Sequence, residues 1–135
     1  MSMRIFLNGL LTLRGAQVRD PLKWANYIDE TIDLWGDDVQ VKFQSHHWPV
    51  WGNADIVEYF GKQRDIYKYI HDQSVRLTNM GYTGEEISEM IKLPASLENE
   101  WSVRGYYGTV RHNSRAVYQR YMGWYDANPA NLNPL

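Results

Sequence analysis

The side chains best suited to hold an anion or a metal are Arg14 and the four histidines, His46, His47, His71 and His112. His46 and His47 directly follow a stretch in which Val39, Val41 and Phe43 alternate with Gln40, Lys42 and Gln44. That alternation reads as a short strand with one apolar face. In layered α/β proteins, sites form at the carboxyl ends of strands, where an imidazole can offer a ring nitrogen to a metal or a substrate. Adjacent residues point in different directions, so at most one of the pair is a ligand. A turn histidine bonded to backbone accounts for the same residues.

Arg14 stands in Thr12-Leu13-Arg14-Gly15. Its planar fork can reach sulfate, phosphate or carboxylate, although an ordinary surface arginine is the simpler reading. His112 follows Tyr106-Tyr107 and precedes a helical stretch, where hydrogen bonding to a ligand and a capping or packing role are both open. His71-Asp72 reads as a helix-surface or interface pair. A zinc site needs three or four ligands, and the chain has no His-x-His or His-Glu-x-x-His. A Ser/His/Asp spacing, a P-loop and a dinucleotide fingerprint are also missing.

The elements that must position these residues are mostly helical. Asp20-Pro21 supplies an N-cap and a first-turn proline. Leu22, Ala25, Ile28, Ile32 and Trp35 then recur at helical spacing up to Gly36. The strand follows and ends at Ser45-His46-His47-Trp48-Pro49. A lone strand has unpaired edges, so its partner is expected in the amino-terminal segment or outside this sequence. A long helix is expected from Asn53, as its cap, to about Asn79, with Ile56, Phe60, Tyr67, Ile70, Ser74 and Leu77 on one stripe and Gly81 as its stop. Thr83 to Glu86 is a capping box for a short helix over 85–92. Pro94 opens another short piece to about Trp101, and Gly105 to Gly108 is a turn. Asn113 is expected to cap a last helix ending near Gly123. Residues 126–135 read as an extended arm.

With 135 residues, 44% hydrophobic and 22% charged, the chain fits one folded domain. A net charge of −2 gives no basic face for nucleic acid. No apolar run is long enough to span a bilayer. Residues 1–13 lack an alanine-type cleavage site, so no signal peptide is expected there. The absence of cysteine removes disulfides and thiolate metal sites. Six Trp and ten Tyr against three Phe suit either an aromatic core or an interface.

Six stretches, in order, resemble one family: Thr12 to Asp20, Ser45 to Asn53, Gln63 to Gln73, Arg104 to Asn113, Ala116 to Tyr121 and Asn128 to Leu132. The chain resembles the alkylsulfatases of the metallo-β-lactamase superfamily, which hydrolyse dodecyl sulfate and related esters. The resemblance implies a mainly α chain, in which a helical dimerisation domain follows a short helix-strand remnant of an α/β metallo-β-lactamase domain. The divisions implied are 1–52 for the remnant, 53–126 for the dimerisation domain and 127–135 for a linker. It also implies that His46, rather than His47, is a zinc ligand, that Arg14 holds the sulfate, and that His112 lies near the sulfate or the leaving oxygen. The complete enzyme would bind two zinc ions and an alkyl sulfate. The family's His-x-His-x-Asp-His motif is absent here, so this chain alone is expected to be inactive and to close no zinc site. The expected partner is a second copy, with no nucleic acid and no membrane span. A periplasmic or secreted location would follow only from a signal peptide on a longer chain. The competing reading is a free-standing helical module that binds amphipathic ligands without catalysis.

Overall fold

The computed structural model describes residues 9–11, 15–45, 47–105, 107–125 and 128–132. The described chain is mostly helical, with one short two-stranded sheet. Helix α1 spans Pro21–Trp35 and begins as its sequence predicts, with the Asp20 carboxylate accepting the Lys23 N–H at 3.0 Å. Its Ala25 and Ile28 are buried, while Trp24, Leu34 and Trp35 stay exposed. Helix α2, Asn53–Asn79, is the spine against which α1 packs.

Asn53 is the first residue of α2 rather than its cap. Gly52 precedes it at φ 94°, a conformation open to glycine. The Asn53 carboxamide donates to the carbonyls of Gly36 at 2.5 Å and Val39 at 3.2 Å. One side chain thus ties the end of α1, the approach to the sheet and the start of α2 together. At the far end, Gly81 at φ 92° turns the chain, and the Tyr82 N–H reaches back to the Leu77 carbonyl.

The sheet corrects two expectations. Strand β1 is Val41–Gln44, and its partner is β2, His47–Trp51, drawn from residues whose sequence reads as a turn. The pairing is antiparallel, with an irregularity between Lys42 and Gln44. The faces are also reversed. The opposed pair Lys42 and Val50 is buried, and Lys42 lies over Tyr59 of α2. Val41, Phe43 and Trp51 face outward. The alternation holds, but the apolar set is the outer one, because α2 covers the other face.

Helix α3, Gly84–Met90, opens on a complete capping box between Thr83 and Glu86 and stops at Met90, where Ile91 is extended. Helix α4, Ala95–Glu98, and a 3-10 turn over Trp101–Val103 follow. Gln63 donates to the buried Ser102 carbonyl at 2.6 Å and joins that turn to α2. Helix α5, Val110–Met122, is capped by Thr109, whose hydroxyl accepts the His112 N–H at 3.0 Å. Asn113 therefore lies inside the helix and not at its cap. Arg115 pairs with Glu85, and Arg111 with Glu89, linking α5 to α3. The tail is not wholly extended: α6 spans Pro129–Leu132.

One core joins the amino-terminal part to the helices. Leu10 and Ala25 share it with Ile66, Tyr67, Ile70, Leu97, Val103, Ala116 and Val117.

Candidate functional site

Of the three residues expected to touch substrate or metal, Arg14 and His46 lie outside the described residues. Both are bracketed by described backbone. Arg14 lies between Leu11 and Gly15, and His46 lies between Ser45 and the first residue of β2. His112 is described, and the structure lays it against the segment that leads to Arg14.

The N-terminal turn of α5 sets that arrangement. Thr109 starts the helix, so His112 and Asn113 fall on its third and fourth positions. The His112 Nε2 is 3.0 Å from the Leu11 carbonyl. A carbonyl only accepts, so Nε2 carries the proton and donates. Gly9 lies beside the same ring, where a Cβ at that position would stand 3.9 Å from the imidazole. Asn113 is fully buried, and its Oδ1 accepts the Leu10 N–H at 2.9 Å.

Farther along α5, the Arg120 guanidinium donates to the Val18 carbonyl at 3.0 Å and to Asp20 at 2.7 Å. Burial alone would raise the Asp20 carboxyl, but the Lys23 N–H and Arg120 outweigh it and hold the carboxyl below its usual value. Arg19 donates its backbone N–H to the Leu10 carbonyl at 2.9 Å and its guanidinium to the Gly9 carbonyl at 2.8 Å. The described residues on either side of Arg14, Gly9 and Leu10 before it and Val18 to Asp20 after it, are thus tied to one another and to α5.

A second polar chain runs between α2 and α5. His71 is 6% exposed and sits between Asp72 at 2.8 Å and the Tyr121 hydroxyl at 2.7 Å. Lys68 bonds the other oxygen of Asp72 at 2.7 Å. Burial pushes the Asp72 carboxyl up, but the bonds from Lys68 and His71 outweigh this and hold it below its usual value. His71 is therefore interior, not a surface residue. The available signal was its spacing: it follows Tyr67 by four and precedes Ser74 by three on the buried stripe.

Lys42 differs from both clusters. It is 7% exposed, and its Nζ lies 4.0 Å from the Tyr59 ring centre with no hydrogen-bond partner. Burial pushes its amine down to about 8. Beside it, a cleft of about 500 Å³ is lined by Thr31, Trp35, Val41, Phe43 and Phe60. Trp35, Phe43, Trp48 and Trp51 are all more than half exposed. Among the described residues no three His, Asp or Glu side chains come together to hold a metal ion. Zinc therefore has no complete ligand set among them.

The signals for Asn113, Arg19 and Arg120 were weak in sequence. Asn113 precedes an apolar run and so resembles a cap, and the two arginines look like surface charges. Only the fold brings them to the amino-terminal segment.

Residues 83–135 match the alkyl sulfatase dimerisation family. The chain is 56% identical over 129 residues to an alkyl/aryl-sulfatase of Saccharomyces cerevisiae, covering 96% of this chain and 20% of that protein. It is 52% identical over 126 residues to a linear primary-alkylsulfatase of Pseudomonas sp., covering 93% of this chain and 19% of that protein. Its fold superposes on the stereoselective inverting sec-alkylsulfatase Pisa1 of Pseudomonas sp. with a TM-score of 0.90 and 46% identity, covering 98% of this chain and 21% of the other. The chain spans about a fifth of the length of these relatives. By sequence and by fold alike, the chain belongs to the alkylsulfatase family.

Proposed function

We propose that this chain is the part of a zinc-dependent alkylsulfatase that brings two copies together and completes one edge of the active site. In this reading Arg14 binds the sulfate group of an alkyl sulfate ester, His46 supplies one zinc ligand, and His112 stands beside the sulfate or the leaving oxygen. The observation that carries it is the placement of His112 on Leu11, three residues before Arg14, by a helix about a hundred residues away in sequence. The bond to Leu11 occupies Nε2, so any exchange of a proton with a ligand falls to Nδ1. The guanidinium of Arg14 would offset charge that develops on the sulfate oxygens. Zinc would supply Lewis-acid chemistry when bound, but the described residues do not form its site.

Homodimerisation is supported by the family match at residues 83–135 and by large exposed side chains in that stretch, among them Tyr121, Met122, Trp124 and Tyr125. Sedimentation at micromolar concentration should give a dimer, and a purely monomeric chain would refute this part of the reading. The chain alone should not hydrolyse dodecyl sulfate.

The site roles need the rest of an enzyme. A suitable assay places these 135 residues in the matching segment of the Pseudomonas secondary alkylsulfatase. There, Arg14→Met should lower kcat/KM by about 100-fold or more, with the zinc content retained. His46→Ala should lower the zinc content itself. Unchanged activity in Arg14→Met would end the sulfate assignment, and unchanged zinc in His46→Ala the ligand assignment. Saturable, metal-independent binding of an alkyl chain by a monomer would instead favour a free-standing binding module.

A further inference from the structure

Strand β1 and the end of α1 flank the cleft of about 500 Å³, a volume usual for a small-molecule site. Trp35 of α1, Phe43 of β1 and Phe60 of α2 supply its aromatic surface. Trp35 is 60% exposed and Phe43 79%, so much of that surface is open to an incoming molecule. Gly36 and Val39 also line the cleft, and the Asn53 carboxamide holds both carbonyls. This wall is therefore set before a ligand arrives.

Besides the Trp35 indole, the polar side chains of the cleft are those of Thr31 and Lys42. Thr31 donates its hydroxyl proton to the Tyr27 carbonyl at 2.7 Å. Lys42 has three N–H donors, and among the described residues its amine has no hydrogen-bond partner. The amine is covered by protein and rests on the Tyr59 ring, 4.0 Å from its centre. Burial pushes it down to about 8, which still leaves most of it charged at pH 7. A buried ammonium without a hydrogen bond opposes folding, and a local cost that a fold keeps marks a candidate site.

The walls select the ligand. The unbonded group is a cationic donor, so the head that matches it is an anionic acceptor. The apolar surface is largely aromatic, and flat rings gain from edge and offset contacts beyond the area they bury. We propose that this cleft binds a small aromatic carboxylate, with its rings against Trp35, Phe43 and Phe60 and its carboxylate on Lys42. The flexible stem of Lys42 lets the amine turn from the Tyr59 ring to the carboxylate, exchanging a ring face for a full counter-charge. The site shares no residue with Arg14, His46 or His112, and it stands whether or not those residues bind sulfate and zinc.

The test uses the whole chain at pH 7, with 2-naphthoate as the probe and 2-naphthamide, neutral and of nearly the same shape, as its control. Equilibrium dialysis reads the affinity of each. Naphthoate should bind saturably with a Kd of about 0.1–1 mM, and about tenfold or more tightly than naphthamide. Lys42→Met keeps an apolar stem and should bring that ratio to about one. Trp35→Ala should weaken both compounds by about three- to tenfold and leave the ratio near that of the parent. Octanoate, a straight-chain carboxylate, should bind about three- to tenfold more weakly than naphthoate.

No saturable binding in that range, or equal affinity for naphthoate and naphthamide in the parent, would overturn the proposal. So would a folded Lys42→Met that keeps the parent ratio. Unchanged affinities in Trp35→Ala would put the compound elsewhere and overturn the assignment to this cleft. Octanoate binding as tightly as naphthoate would overturn the aromatic part. Should Lys42→Met fail to fold, the parent ratio and Trp35→Ala decide alone.

Discussion

The N-terminal turn of α5 and the β-hairpin both bury polar groups, and they treat them in opposite ways. On α5, Asn113 and His112 bond to Leu10 and Leu11, and Arg120 bonds to Val18 and Asp20. In the hairpin, the Lys42 amine is buried over Tyr59 with no hydrogen bond. Around it Trp35, Phe43, Trp48 and Trp51 remain exposed. The first region is internally satisfied. The second carries a desolvated charge and an outward aromatic face, so its folding energy is drawn down where the first region's is built up.

The contrast predicts changes of opposite sign. The largest is at Asn113. Asn113→Ala leaves the Leu10 N–H unbonded in the interior and should cost about 2–3 kcal/mol in urea unfolding. A loss well under 1 kcal/mol would show that water replaces the bond. Next is Lys42→Met, which should stabilise the chain. The folded-state amine is pushed down to about 8 from a usual 10.5, so the unfolded chain binds the extra proton between those values. The penalty is therefore full below pH 8, shrinks as the pH rises and is gone above 10.5. The shift sets an upper limit of about 3 kcal/mol. Solvent screening and the lost contact with the Tyr59 ring reduce the expected gain to about 1–2 kcal/mol at pH 7. A variant-minus-parent difference that did not decline between pH 8 and 10.5 would refute this account.

Smaller effects follow. Thr109→Ala removes the cap that sets the register of His112 and should cost about 1 kcal/mol. Phe43→Ser, on the outer face of β1, should change the chain's own stability by less than about 0.5 kcal/mol. A large loss there would mean that the outer face is already covered within the chain.

The helices could be read ahead of the structure wherever their ends carry local chemistry. Asp20-Pro21, the Thr83 to Glu86 box and Gly123 each mark an end that the fold keeps. The strands could not be read as well. Pro49 and two adjacent histidines make β2 look like a turn, and proline is tolerated there because, among the described residues, the sheet has two strands and β2 is an edge. The alternation in β1 gives its period but not which side is inside; α2 decides that by covering Lys42. Two residues, Thr109 and Asn113, compete in sequence to cap α5, and Thr109 prevails in the fold. The roles of Arg14 and His46 come from the ordered family resemblance, since a lone arginine and a histidine pair are ambiguous in any sequence.

Helix α2 has a further consequence for which changes of length the chain can tolerate. It carries Tyr59 under the hairpin near one end and His71 against Tyr121 near the other. These contacts share one unbroken helix, so they share one rotational phase. Adding or removing a single residue between them would turn one end by about 100° relative to the other. His71 would leave Tyr121 while the hairpin stayed in place. Insertions belong instead in the turns at Asn79 to Thr83 or Ile91 to Pro94, where no such phase is kept.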